Sequence, residues 1–367
     1  MGAPLLLILL LFHLSIGAED CPKEETLSKI KNLVEREYLW WDRLKDLSWE
    51  DEKEFIEQLR KIGDRWTSIT KQDEDRLWYS SSKMVGLGVR WDDKGYVKRV
   101  FPNSPAELYG IREGDLIVSI NGVSDRSQWR IAIREAQDYV DIELIRDGFF
   151  INLMVKKGEF VVPVVEDARV IGREGKKVGY VKLSNFTQPA VEEFRRVLEG
   201  FKAEGVDVLL LDLRDNGGGL ISVAKNIADM LIGGDGVMFY LEGRGKNLGV
   251  YTFRKKEGFD KPILIFVNKQ TASAAELFAV LLRNYAEALI VGENTVGKYV
   301  GSNLYPLDSC GNVLRLVTFE MRLPSGETIT DSRGISPDCK LESEDLLNRS
   351  MECLSNRNFG EFPSAQP

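Results

Sequence analysis

Residues 206–219 read VDVLLLDLRDNGGG, and the fold turns on this stretch. Val208 to Leu211 form an unbroken apolar run of strand length, which suits a strand covered on both faces. Asp215-Asn216-Gly217-Gly218-Gly219 then breaks the strand, and a helix is expected to begin near Leu220. A sheet covered on both faces needs helices above and below it, so the class is α/β. The neighbouring segments agree. VGYVKLSNF (178–186) precedes an amphipathic helix near 188–204, and PILIFV (262–267), a helix starting at Ser273 and the strand ALIVG (288–292) follow. Residues 158–342 make up this core.

Glycines between a strand and a helix can hold a phosphate. Here the GxGxxG spacing and the GK[ST] ending of nucleotide loops are both missing. Two readings stay open for DNGGG. One is a tight strand-to-helix turn; the other is a bare-backbone turn whose N–H groups meet negative charge as it develops in a reaction.

TASAAE (271–276) and GENTVGK (292–298) carry the remaining candidate chemistry. Ser273 stands where a helix begins, and Glu276 completes a capping-box spacing, so an N-cap explains the serine when it is taken alone. Lys298, after Gly292 and Gly297, reads alone as a surface lysine in a loop. The single histidine of the 367 residues, however, is His13, inside an apolar leader. A serine nucleophile in the rest of the chain must give its proton to something other than imidazole. Lysine can take it only if burial depresses its pKa, by up to about 3–5 units. Lys298 is therefore expected to be enclosed and to lack a carboxylate partner.

Composition is that of a globular protein, with 43% hydrophobic and 29% charged residues. A net charge of −8 and the lack of a basic run argue against a nucleic-acid partner. Residues 1–18 carry no charged side chain, and their apolar run from Leu5 to Leu14 ends in small residues, the pattern of a signal peptide and an extracytoplasmic location. Left uncleaved, the leader would hold the chain near a membrane, although the run falls short of the roughly 20 apolar residues that a span takes. Cys21, Cys310, Cys339 and Cys353 suit an oxidising compartment as two disulfides, with three pairings open. The lack of a CxxC pair and of a usable histidine argues against zinc. Residues 22–82 are expected to be a helical region, with Ile30, Leu33, Val34 and Tyr38 at helical spacing and a second helix near 50–62. Residues 343–367 read as a C-terminal tail, and Asn185 and Asn348 head glycosylation sequons.

Between 84 and 157 the texture changes to short alternating strands with Gly, Pro, Asn and Asp punctuation. The loop Gly86-Leu87-Gly88-Val89, the helix start Ser104-Pro105-Ala106 and the ordered run Gly110, Gly114, Asp115, Ile117, Ile120, Asn121, Gly122 resemble a PDZ domain. Such a domain accepts a peptide as an added strand, and the amides of Gly86 to Val89 would capture a terminal carboxylate. As a bare local reading, GLGV is also a turn leading into a strand.

Five ordered segments, GYVKLSNF, LLLDLRDNGGGL, VNKQTASAAE, ALIVGENTVGK and GISPD (334–338), make the chain from about Val178 to Asp338 similar to the C-terminal processing, or tail-specific, serine proteases. GDRWTSIT (63–70) fits that family too. The resemblance implies a protease core of crotonase- and ClpP-like β-β-α units behind the PDZ-like domain. It implies Ser273 as nucleophile, Lys298 as general base, and the backbone amides of Gly218 and Ala274 as the oxyanion hole. No metal or cofactor is implied, and the substrates would be proteins or peptides with exposed C-terminal tails. Family members place Asp at the position of Asn284 or Gln at that of Ser302, so these two residues are the candidates for a third member that steadies Lys298. A non-hydrolytic, peptide-binding adaptor of the same fold is the alternative function, and the oligomeric state is left open.

Overall fold

The computed structural model describes residues 23–173, 175–255, 257–341 and 346–356. The leader, Cys21 and the end of the tail lie outside the described residues. Val208–Asp212 sits inside a six-stranded sheet whose order is Cys339–Lys340, Leu289–Gly292, Ile263–Val267, Val208–Asp212, Lys176–Leu183 and Val165–Arg173. Neighbouring strands run parallel except at the Val165–Arg173 edge, which is antiparallel. All five residues of Val208–Asp212 are buried, as are all five of Ile263–Val267. The helices Ala190–Glu204, Ile221–Leu231 and Ala274–Tyr285 cover the sheet. The first of them stops at Gly205, whose φ of 65° is the left-handed C-cap that glycine adopts without strain. Phe278 of the last helix packs on Phe186, with ring centroids 5.2 Å apart.

A second sheet exceeds the sequence expectation. Ser68–Lys71, Asn312–Arg322, Gly234–Gly243 and Lys246–Lys255 pair in that order, and Val300–Pro306 joins on Asn312–Arg322. Residues 22–82 are thus only partly helical. Lys23–Glu37 and Glu52–Lys61 are helices, but Ile69 pairs with Leu314. Ile30 and Val34 of the first helix, Tyr38 just beyond its end, and Phe55 and Leu59 of the second share one core with Val300, Leu314 and Leu316. A four-residue strand whose partner lies some 240 residues away leaves no local period to read.

The PDZ-like region folds around its own core, centred on the fully buried Trp129. It joins the protease core through Lys83–Gly86 pairing with Gly158–Val161, and through Glu166. The Glu166 carboxylate, 1% exposed, takes Arg90 and Arg99 from the PDZ-like region at 3.0 Å each and Lys182 from the core at 3.3 Å. Three cations make burial of this carboxylate tolerable. Of the three cysteine pairings, the structure shows Cys339–Cys353, 14 residues apart, which pins the tail helix Leu346–Asn356 to the sheet edge. Cys310 is disulfide-bonded as well. Asn185 is only 2% exposed and its Oδ1 accepts from the Thr187 amide and hydroxyl, so this sequon is a structural turn rather than a glycan acceptor.

Candidate active site

Three loops leave the carboxyl ends of parallel strands, where α/β sheets place their ligands. They follow Asp212, Val267 and Gly292, and hydrogen bonds sew them together. The Ala272 amide donates to Asn216 O at 3.0 Å, the Thr271 hydroxyl to Leu213 O at 2.9 Å, and the Val296 amide to Thr271 O at 3.0 Å. Asp212 anchors the first loop from a fully buried position. Arg214 Nε donates to its Oδ1 at 2.9 Å and the Tyr180 hydroxyl to its Oδ2 at 2.8 Å.

Ser273 precedes the helix Ala274–Tyr285 with φ 58° and ψ −120°. That is a conformation glycine adopts freely and a side-chain-bearing residue adopts at a cost of about 1–3 kcal/mol. The serine is half-buried, and its neighbour Ala274 is the first helical residue, so its amide has no partner within the helix.

Glu276, three residues on and fully buried, does more than cap. Its Oε2 accepts from the Ser273 amide at 2.7 Å and from the Lys298 amide at 2.9 Å. Its Oε1 accepts from the Gly297 amide at 2.8 Å and from the Thr295 hydroxyl. One carboxylate therefore fixes the backbones on which Ser273 and Lys298 stand. Thr295 Oγ1 in turn accepts from the Ile335 amide at 2.7 Å, which gives the GISPD segment its place.

Lys298 is half-buried, and its ammonium end lies against an aromatic wall. Its Nζ lies 4.8 Å from the centre of the Trp66 ring. Burial, helped by the nearby Arg315 charge, brings its ammonium down to about 8, against the opposing pull of Asp64 and Glu276. Among the described residues no carboxylate forms an ion pair with it; Arg315 pairs instead with Asp75.

Gly218 lies against the serine as expected. A Cβ there would fall 2.7 Å from Ala272 O and 2.9 Å from Ala274 N, and its φ is 98°. Its amide, however, donates to Asn216 Oδ1 at 2.9 Å, so it is engaged within its own loop. The two candidates for a third member fare differently. Asn284 is exposed in the last turn of the helix, 11 residues and so about 16 Å along the axis from Ser273, and the structure does not bring it to the site. Ser302, on Val300–Pro306, has a buried hydroxyl without a hydrogen-bond partner among the described residues.

In the PDZ-like loop, Leu87 O accepts from Ala106 N at 2.7 Å and Gly88 O from Phe101 N at 2.9 Å, so its carbonyls are anchored. A Cβ at Gly88, where φ is 75°, would meet Ser104 Cβ at 2.2 Å. Among the described residues the following strand, Val89–Trp91, pairs on one side only, with Val97–Val100.

Residues 177–341 match peptidase family S41, and residues 96–141 match the PDZ domain. The carboxyl-terminal-processing protease of Picosynechococcus sp. is 29% identical over 302 residues, covering 77% of this chain and 70% of that one. The carboxy-terminal processing protease CtpA of Bacillus subtilis is 26% identical over 301 residues, covering 78% of this chain and 63% of that one. The protease region of this chain, residues 177–341, belongs to peptidase family S41, and the chain is similar to the C-terminal processing proteases over most of its length. The photosystem II D1 C-terminal processing protease has the same fold, with a TM-score of 0.59 and 24% identity over 87% of this chain and 94% of that one.

For this C-terminal processing protease homologue, sequence reasoning missed Trp66 and Arg315, and it saw only the capping half of Glu276. The capping spacing was the available signal; the reach to residues 295–298 depends on tertiary structure.

Glu276→Gln puts an amide N–H₂ among donors, and is expected to cost about 1–3 kcal/mol in urea unfolding; unchanged stability would contradict the four-bond arrangement. Ser273→Gly should be more stable than Ser273→Ala by about 1 kcal/mol or more, because glycine relieves the positive φ. A less stable glycine variant would show that Ser273 is unstrained.

Proposed function

We propose that the chain is a serine endopeptidase working outside the cytoplasm, with Ser273 as nucleophile and Lys298 as general base. The observation that carries this reading is a half-buried Lys298 whose Nζ faces Trp66, lowered to about 8, on a loop that Glu276 ties to the serine's own backbone. Neutral Lys298 Nζ takes the Ser273 Oγ proton as Oγ bonds to the substrate carbonyl carbon. The same proton then passes to the amide nitrogen as the C–N bond breaks, and water repeats the sequence on the acyl-enzyme. The Ala274 amide, at the start of a helix, is the ready donor to the oxyanion. Gly218 joins it by turning its peptide away from Asn216, which glycine permits. Ser302 is the remaining candidate to steady Lys298.

The one-sided strand Val89–Trp91 and the anchored GLGV loop support recruitment of substrates by their free C-termini. The Cys339–Cys353 disulfide supports an oxidising, extracytoplasmic setting.

With β-casein as substrate, kcat/KM should rise about tenfold from pH 7 to its plateau, with a midpoint near 8, and should vanish in Ser273→Ala and Lys298→Met. Peptide binding with no turnover in the wild type would favour the adaptor instead. Lys298→Met should also leave the thermal midpoint at pH 7 equal or higher. The folded lysine releases its proton near 8 and the unfolded one near 10.5, so its burial costs stability fully below pH 8 and not above 10.5. A lower midpoint would contradict the burial account. Full-length Ser273→Ala should bind free-acid peptides about tenfold more tightly than C-terminally amidated ones; equal affinity would sink carboxylate capture.

A further inference from the structure

Given the Ser273–Lys298 dyad proposed above, we infer that Arg315 is a positioning residue for the reaction: held by Asp75 and Tyr79, it keeps a fixed positive charge near the lysine. Arg315 lies within Asn312–Arg322, opposite Ser68 on one side and Leu304 on the other. Both neighbouring segments lead to Lys298. Ser68 follows two residues after Trp66, whose ring faces Lys298 Nζ, and Val300–Pro306 begins two residues after the lysine itself.

The guanidinium is clamped from the helix Gln72–Ser81. Nη2 meets Asp75 Oδ1 and Nη1 meets the Tyr79 hydroxyl, each at 2.5 Å. The other Asp75 oxygen accepts from the Thr70 hydroxyl at 2.7 Å, which ties the clamp back to the strand beside Arg315. These bonds hold the partly buried guanidinium from two sides.

The charged groups facing Lys298 are Arg315, Asp64 and Glu276, with Arg65 stacked on the same Trp66 ring at 4.6 Å. Asp64 and Glu276 would hold the lysine's proton, but their oxygens are occupied. Asp64 accepts from the Tyr38 hydroxyl and the Trp66 and Thr67 amides, and Glu276 from the four donors described above. Arg315 is the cation that opposes them, and after burial it is the next influence lowering the affinity of Lys298 for its proton.

The helix that holds Arg315 also hands the chain to the PDZ-like region, since Ser82 leads directly into Lys83–Gly86. The Gln188 amide donates to Tyr79 O at 2.9 Å, and the Ser82 and Thr187 hydroxyls are hydrogen-bonded. The arginine's counter-ion therefore stands on the element that links the two domains.

The test is the pH dependence of β-casein cleavage for wild type, Arg315→Gln, Arg315→Lys, Asp75→Asn and the Arg315→Gln/Asp75→Asn pair, each checked for folding by urea unfolding. The pair removes both charges together, so it avoids an orphaned carboxylate if Arg315→Gln fails to fold. Arg315→Gln and the pair should shift the midpoint to higher pH, giving a rate at pH 7 roughly threefold or more lower relative to each variant's own plateau. Arg315→Lys should keep the wild-type midpoint, and Asp75→Asn should leave it unchanged or move it to lower pH. A profile unmoved in both neutral variants overturns the inference. So does an alkaline shift in Asp75→Asn, because a purely structural ion pair would respond alike from either side. Persisting activity in Lys298→Met would instead overturn the dyad itself.

Discussion

Four hydrogen bonds converge on the buried carboxylate of Glu276, and the rest of the site depends on them. The serine and the lysine stand on loops from different strands, with no covalent reason to stay in register. A carboxylate buried without partners would cost several kcal/mol, whereas one whose two oxygens serve four donors becomes a rigid joint. Because the bonds run to backbone amides and a hydroxyl, Glu276 fixes where Lys298 begins without neutralising its side chain.

That division matters for the amine. Its lowered affinity for protons comes first from burial and second from Arg315, while the carboxylates nearby pull the other way. Packing against Trp66 also makes the site locally unfavourable, as does the positive φ of Ser273. The surrounding core offsets both: Ala274 through Leu282 are buried without exception, and the strands beneath are fully covered. The strained elements sit on the most heavily packed part of the molecule.

Much of this was legible in the chain. The apolar run at Val208–Leu211, the glycines after it and the helix start at Ser273 fixed an α/β core, because strand burial and turn chemistry are local signals. The five ordered segments pointed to Ser273, Lys298, Gly218 and Ala274, and the structure gathers all four. Asn284 was a wrong candidate for a geometric reason, since 11 helical residues carry it to the far end of the helix. The amide of Gly218 turned out to be bonded to Asn216, a choice of peptide orientation that residue types do not reveal. Trp66 and Arg315 stayed hidden because they reach the site through pairing of Ser68–Lys71 with a strand some 240 residues away. The joining of the two hairpins of the second sheet, through Tyr240–Gly243 on Phe319–Arg322, is likewise a long-range pairing.

The most direct measurement is the titration of the Lys298 ε-amine itself, followed by NMR of ¹³Cε-labelled lysine in the full-length Ser273→Ala protein, with Lys298→Met used to assign the signal. A midpoint near 8 is the predicted result. A midpoint near 10.5, that of an ordinary lysine, would show that the surroundings do not make a base of Lys298 and would contradict the account.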